Sequence, residues 1–396
     1  MKFTALVSLA AAVLAFTEAS TIKVSTKHGH AVPLSRNPNY KHNTKVQINK
    51  MRARYGRQSG VKILDETTAT VPLINFNPDI EYYGNVSVGT PAQVFRLDFD
   101  TGSSDIWFPS STCTTSGCKA HNRFDAAKSS TYKKDGRTWN ISYEDKSGAS
   151  GILGSDIVNV GGVSVRQTIG LATAETTQFT SEPNDGLFGL AFSGEESVRG
   201  VKTFMDNAIA AGALAQPVVS VFLPSLRRNG GTSGEYLFGG IDSTKYSGDL
   251  TYIKIPVDDI TYNGSSLGLS SDGIVDTGTT LVMVGTKTAK AIHDNIQGAV
   301  FTAATSTDPA HWVIPCSLQS STDNVGFSLG GKIFNVPIAD IAYEALDDGS
   351  GNCYSGIQGN PDEDNLWILG DVFIKNNYCV FDHGATPRVG IAPLNY

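Results

Sequence analysis

Two carboxylates carry the strongest chemical signal in the sequence. The stretch "LDFDTGSSDIWF" places Asp100 in an Asp-Thr-Gly triplet, and "DGIVDTGTTLVM" repeats that triplet at Asp276. Two such triplets fall together by chance in roughly one chain in a thousand of average composition, so the pair is informative where one copy would not be. Gly102 and Gly278 let the backbone turn tightly after each carboxylate. The hydroxyls of Ser103 and Thr279 stand where each can hydrogen-bond the carboxylate three residues earlier. Two aspartates brought into contact resist double ionisation and share a proton through the acid range. One can then deprotonate a water while the other protonates or hydrogen-bonds a carbonyl, a hydrolysis that needs no covalent intermediate.

If two similar halves pack about a pseudo-two-fold axis, the two carboxylates meet at it. The repeat does extend beyond the triplets, to Leu187, Phe188, Gly189 in the first half and Ile368, Leu369, Gly370 in the second. The elements that must position them read as mostly β. Phe95, Leu97 and Phe99 share one face of a strand leading into Asp100, and Gly-Gly or Asn-Gly pairs at 161–162, 239–240, 263–264 and 330–331 punctuate a series of expected hairpins. Two helical patterns interrupt them, one in each half: Val201, Phe204, Met205, Ala208 and Ile209 before Gly212, and Ala289, Ile292 and Ile296 before Gly298.

At 396 residues and 40% hydrophobic content the chain can bury a large core in two or three compact units. Its 41 glycines and moderate charge disfavour both disorder and a coiled coil. The start, "MKFTALVSLAAAVLAFTEAS", has one Lys, an apolar run too short to span a bilayer, and Thr17 and Ala19 at a small-residue cleavage pattern. Residues 1–19 therefore read as a signal peptide, with no later membrane-spanning run, and the protein is expected to be secreted and extracellular rather than vacuolar. Residues 1–65 hold 11 Lys and Arg against 2 Asp and Glu, and the remainder holds 20 against 36. A basic stretch at 20–65 without a core of its own, ahead of an acidic body, reads as a pro-segment that docks while carboxylates are ionised and loosens below about pH 4 to 5. A nucleic-acid partner is disfavoured, because an acidic body repels phosphate.

Five cysteines in an exported chain imply disulfides with one thiol left over. Connectivity is not readable from sequence; pairing Cys113 with Cys118 and Cys316 with Cys353 is the simplest choice, which leaves Cys379 as a small buried hydrophobe rather than a nucleophile. No CxxC pair and no HExxH motif occurs, so neither a metal site nor a cofactor is expected. Gly264-Ser265-Ser266-Leu267-Gly268 fits the GxSxG pattern of serine hydrolases, but it follows an Asn-Gly turn and has no helix pattern after it. Asn85, Asn140 and Asn263 are N-x-S/T acceptors, as suits an exported glycoprotein.

The chain resembles the pepsin family of aspartic proteases through "DFDTGSSDIWF", "GIVDTGTTLV", "WNISYEDKSGASGILG", "NDGLFGLAF" and "WILGDVFIKNNYCVFD", over essentially residues 66–396. In detail it is similar to the secreted fungal members of the rhizopuspepsin type. The resemblance implies a monomeric, β-dominated, bilobal fold with a lobe at 66–245, a lobe at 246–396 and a cleft between them that takes extended peptide. It implies an aspartic endopeptidase made as a zymogen and blocked by pepstatin-type inhibitors. Asp100 and Asp276 match the catalytic pair, with Asp276 in the usual assignment the ionised base. Thr101 and Thr277 match the threonines that cross-brace the two loops, Tyr143 matches the tyrosine of the hairpin flap, and Trp107 matches the tryptophan that hydrogen-bonds it. Arg54 beside Tyr55 falls where such pro-segments carry a Lys that reaches the carboxylates. The flap departs from its relatives: Glu144, Asp145, Lys146 and Ser147 stand where many fungal members read Gly-Asp-Gly-Ser. Asp145 matches the acidic flap residue that helps accept Lys before the cut, and the expected preference is for large apolar residues around the cut with tolerance of Lys there. A catalytically silent binder on the same fold is the rival from another class; the intact triplets weigh against it.

Overall fold

The computed structural model describes residues 69–72, 74–76 and 81–395, apart from 143–146, 195, 226–233, 254–255, 307 and 361–365. The expected signal peptide and pro-segment, with Arg54 and Tyr55, lie outside the described residues, and so do Tyr143, Glu144, Asp145 and Lys146.

Among the described residues the chain forms five sheets and a few short helices, the β-dominated architecture that the resemblance implies. An eight-stranded sheet takes its strands from residues 74–189. A five-stranded and two four-stranded sheets take theirs from residues 256–369. A six-stranded sheet joins strands from both ends of the chain: Ala69–Pro72, Glu235–Phe238, Val218–Phe222, Asn377–Asp382, Arg388–Pro393 and Thr251–Ile253, in that order.

Alternation sets the strand before Asp100. In Gln93–Asp100 the side chains of Phe95, Leu97 and Phe99 are all buried, Arg96 and Asp98 between them are half-buried, and Val94 ahead of them is exposed. Phe95 stacks on Phe108 at 4.5 Å between centroids and Phe99 packs on Phe188 at 4.9 Å, so the expected core face is formed. Three of the four expected hairpins are present: Gly161-Gly162, Asn263-Gly264 and Gly330-Gly331 each join paired strands, with both residues at positive φ. That combination is the type I′ geometry whose twist matches the flanking strands. Gly239-Gly240 is the exception. The strand before it, Glu235–Phe238, pairs with Ala69–Pro72 and Val218–Phe222, whereas the next strand, Thr251–Ile253, pairs with Arg388–Pro393. Gly239 takes a left-handed φ of 76° to turn the chain away rather than back.

Both helical patterns form helices, each shorter than its apolar pattern. Phe204–Ala210 starts at a capping box, with Thr203 Oγ1 accepting from Asp206 N and Asp206 Oδ2 accepting from Thr203 N, which leaves Val201 ahead of the helix. Thr286–His293 leaves Ile296 beyond its end. The GxSxG stretch is a hairpin, Asn263-Gly264 turning into the strand Ser265–Ser266, with no helix after it. The disulfides are Cys113–Cys118 and Cys316–Cys353; Cys379 is free, fully buried, and its thiol is pushed far above the usual range by that burial. Among the described residues no helix is long and apolar enough to cross a membrane, and no group of three or more His, Cys, Asp or Glu side chains is arranged to hold a metal ion.

Candidate functional site

Each Asp-Thr-Gly triplet sits at the end of a strand held by the same three-stranded arrangement. The strand ending at Asp100 runs parallel to Gly186–Gly189, pairing Phe99 with Phe188, and Gly186–Gly189 in turn runs antiparallel to Ile106–Pro109. In the second half Ser271–Val275 runs parallel to Leu366–Leu369, pairing Val275 with Leu369, and Leu366–Leu369 runs antiparallel to Val282–Gly285. The sequence repeat is thus a structural one. The chain after each strand crosses its neighbour at close range, tied by Leu190 N to Asp100 O at 2.7 Å and Ala191 N to Ser103 O at 2.8 Å in one half, and by Asp371 N to Thr279 O at 2.7 Å in the other.

The two triplets are bonded to each other reciprocally. Thr101 N donates to Thr277 Oγ1 and Thr277 N donates to Thr101 Oγ1, both at 3.0 Å. Each hydroxyl then spends its single proton on the opposite strand: Thr101 Oγ1 on Val275 O at 3.1 Å, Thr277 Oγ1 on Phe99 O at 2.6 Å. With both protons committed, the 3.4 Å approach of the two hydroxyl oxygens is a contact and not a further bond.

The carboxylates are oriented by their own loops. Asp100 Oδ1 accepts from Gly102 N at 2.9 Å and its Oδ2 accepts from Ser103 Oγ; Asp276 Oδ1 accepts from Gly278 N at 3.0 Å. Both aspartates are fully buried, while Gly102, Ser103 and Gly278 are half-buried. Thr279 is buried and its backbone N–H reaches Asp276 O at 3.4 Å. Two carboxylates fixed on cross-braced loops can hold one proton between them and act on a water and a carbonyl together.

Trp107 lies in the strand Ile106–Pro109, buried against Trp139 at 5.7 Å and Phe179 at 5.3 Å. Its indole N–H has no acceptor among the described residues. The partner expected for it, Tyr143, lies outside them.

Sequence reasoning passed over an acid beneath the Cys113–Cys118 loop. Glu175 is 6% exposed, its backbone N–H donates to Thr115 Oγ1 at 3.1 Å, and it lies close to Asp185, which accepts from Arg96 N and Nη2 and from Asn122 N and Nδ2. Burial first, and the Asp185 charge second, push the Glu175 carboxyl from 4.5 up to about 7. Because the folded value is the higher one, the stability this group contributes is complete below pH 4.5 and is lost as pH rises through about 7. The loss reaches at most about 3 kcal/mol. Glu175→Gln should therefore lose that much less stability than the parent between about pH 4.5 and 7.5, as read by urea unfolding at both values. Equal losses in the two proteins would remove Glu175 from the account. The helix residue His293 works in the opposite sense. Its Nδ1 donates to Ala289 O at 2.6 Å, its Nε2 accepts from Ser355 Oγ at 2.8 Å, and burial lowers it to about 4. Its contribution is complete above the ordinary 6.5 and is lost as pH falls through about 4.

A family model described as eukaryotic aspartyl protease matches residues 81–394. The chain is 43% identical to rhizopuspepsin-2 of Rhizopus niveus and 41% identical to rhizopuspepsin of Rhizopus chinensis, with the whole of each chain covered in both comparisons. It is 38% identical to pepsin A of Bos taurus over 85% of this chain and 90% of that one.

Proposed function

This chain belongs to the eukaryotic aspartyl protease family and is an aspartic endopeptidase, and from that premise we propose that Asp100 and Asp276 are its catalytic pair. The observation that carries the proposal is the reciprocal Thr101–Thr277 brace, in which the backbone N–H of each threonine donates to the other's hydroxyl. In the reaction Asp276, ionised, takes a proton from the attacking water, and Asp100, protonated, hydrogen-bonds the scissile carbonyl as its oxygen gains charge. The proton then passes to the leaving nitrogen. A pH–rate profile would report the pair and not either residue. Gly102, Gly278 and Ser103 keep the carboxylates aimed, and Tyr143 is proposed to close over substrate as the flap tyrosine, with Trp107 as its hydrogen-bond partner.

The precursor is proposed to be a secreted zymogen, with a signal peptide at 1–19, a pro-segment at 20–65 and lobes at 66–245 and 246–396. The lobe division is supported by strand pairing: among the described residues no strand between 256 and 369 pairs with one between 74 and 189. Arg54, with Tyr55, ion-pairs with the catalytic carboxylates until acid protonates the body that holds the basic segment. The test is digestion of denatured haemoglobin at about pH 3, where family pairs are protonated to the active state. Cleavage should begin as the precursor shortens and should stop on addition of pepstatin. Cleavage insensitive to pepstatin, or none from the shortened chain, would overturn the proposal.

Substrate is an extended peptide bound by backbone hydrogen bonds, with side chains in alternate subsites and large apolar residues preferred around the cut. Asp145 is proposed to accept a Lys side chain before the cut, with the adjacent Lys146 competing for it. At about pH 5, where an ordinary aspartate is ionised, Asp145→Ala should slow cleavage of a Lys peptide about fivefold and leave its Phe counterpart unchanged. Equal slowing of both peptides would mean that Asp145 acts only on the shape of the flap.

A further inference from the structure

Outside the two loops, one buried hydroxyl reaches the backbone that carries Asp100. Tyr236 lies in the strand Glu235–Phe238 of the six-stranded sheet, is fully buried, and donates its hydroxyl proton to Phe99 O at 2.9 Å. The same carbonyl accepts Thr277 Oγ1 at 2.6 Å. A carbonyl oxygen has two lone pairs, so both donors are accommodated. The Tyr236 ring also stacks on the Phe99 ring, 5.0 Å between centroids and 27° between planes, so one side chain holds both the ring and the carbonyl of the residue before Asp100.

This hold has no counterpart in the other half. Val275 O, the equivalent carbonyl, accepts Thr101 Oγ1 at 3.1 Å and takes no second side-chain donor among the described residues. Burial raises the Tyr236 hydroxyl well above its ordinary 10, the neighbouring Thr277 hydroxyl opposes the rise, and the charges of Asp371, Asp98 and Asp276 add to it. The group is therefore a proton donor at every pH at which the enzyme works.

We propose that Tyr236 is a positioning residue for the catalytic pair: with Thr277 it clamps the Phe99 carbonyl and so sets the place of the Asp100 loop relative to the Asp276 loop. The brace between the loops fixes their contact, and Tyr236 ties that contact to the sheet shared by both ends of the chain. The inference rests on the reading of Asp100 and Asp276 as the pair.

Tyr236→Phe deletes one oxygen and keeps the stacked ring. The full-length precursor would be matured, and kcat referred to sites counted with a tight pepstatin-type inhibitor, so that misfolded protein is not scored as inactive. KM should stay within about twofold while kcat falls about tenfold, since a small displacement of reacting groups costs rate and not affinity. The two limbs of the pH profile of kcat/KM should move relative to each other, because the spacing of the carboxylates sets their coupling. A structural role alone would lower Tm without moving those limbs. Unchanged kcat and unchanged limbs, whatever happens to Tm, would overturn the inference. Tyr236→Leu, which also lacks the hydroxyl, must move the limbs in the same way; a shift in Leu alone would assign the effect to packing and would overturn it too. An active Asp100→Asn enzyme would instead sink the catalytic pair itself, whereas an inactive one beside a normal Tyr236→Phe enzyme would sink only the role of Tyr236.

Discussion

Asparagine in place of either Asp100 or Asp276 is expected to give a folded protein without peptidase activity, with kcat lowered by about a thousandfold or more. Asparagine has the same shape, and its amide oxygen can still accept the Gly102 or Gly278 N–H that each carboxylate now accepts at 2.9 and 3.0 Å. What it lacks is a proton that can be taken up or released. At position 100 the amide nitrogen would also face Ser103 Oγ, which then accepts where it now donates. The threonine brace runs through Thr101 and Thr277 and does not pass through either carboxylate, so the loops stay in place. Steady-state cleavage of an apolar peptide checks this, with thermal unfolding measured beside it. A loss confined to KM, or retention of more than a few per cent of kcat by either variant, would mean that the reaction runs elsewhere.

The repeat that carries Asp100 and Asp276 was legible because it is written twice and locally: the triplets, the tight glycine after each, and Ser103 three residues on are all short-range statements. The core face of Phe95, Leu97 and Phe99 was legible for the same reason, since a period of two needs no partner to be read. Turn chemistry served where the two strands it joins are neighbours, as at Asn263-Gly264. It misled at Gly239-Gly240, because the path of the chain beyond Phe238 is decided by a partner strand, Arg388–Pro393, at the other end of the molecule's sequence. Tyr236 was illegible in the same sense. Its place in "GEYLFGG" marks an inward-facing position on a strand, but the carbonyl that receives its hydroxyl belongs to Phe99, brought there only by tertiary packing. Glu175 was hidden by its type. An acid at the end of "IGLATAE" reads as a solvated strand end, and only the loop closed by Cys113–Cys118 and the neighbouring Asp185 make it a buried one. A stretch of sequence carries its own periodicity and turns; it does not carry the charges and carbonyls that distant segments bring to it.

The repeated glycine after Phe188 and Leu369 has a steric cause that gives the largest stability effect expected outside the pair. At Gly370, φ is −82°, a value open to any residue, so left-handed strain is not the reason for glycine here. A Cβ on Gly370 would lie 2.2 Å from Thr279 O and 2.3 Å from Leu281 O, and one on Gly189 would lie 2.4 Å from the Ser104 carbonyl carbon and 2.7 Å from Ser103 O. All four atoms are backbone, and no side chain can swing aside to make room. Thr279 O is also the acceptor of Asp371 N at 2.7 Å, and Val372 N donates to Thr280 O at 3.0 Å, so the crossing that the methyl would prise apart is the one that holds the chain just after Asp276. Gly370→Ala should cost roughly 4 kcal/mol or more, the range of a clash that the backbone itself must absorb. The fraction that still folds should turn over more slowly, since moving a catalytic group by about 1 Å costs on the order of a hundredfold in rate. Differential scanning calorimetry and kcat per inhibitor-titrated site separate the two effects. A variant with the parent's Tm and the parent's kcat would show that the segments at 279–281 and 370 can part without consequence, and that the glycine shared by the two halves is not required by their close approach.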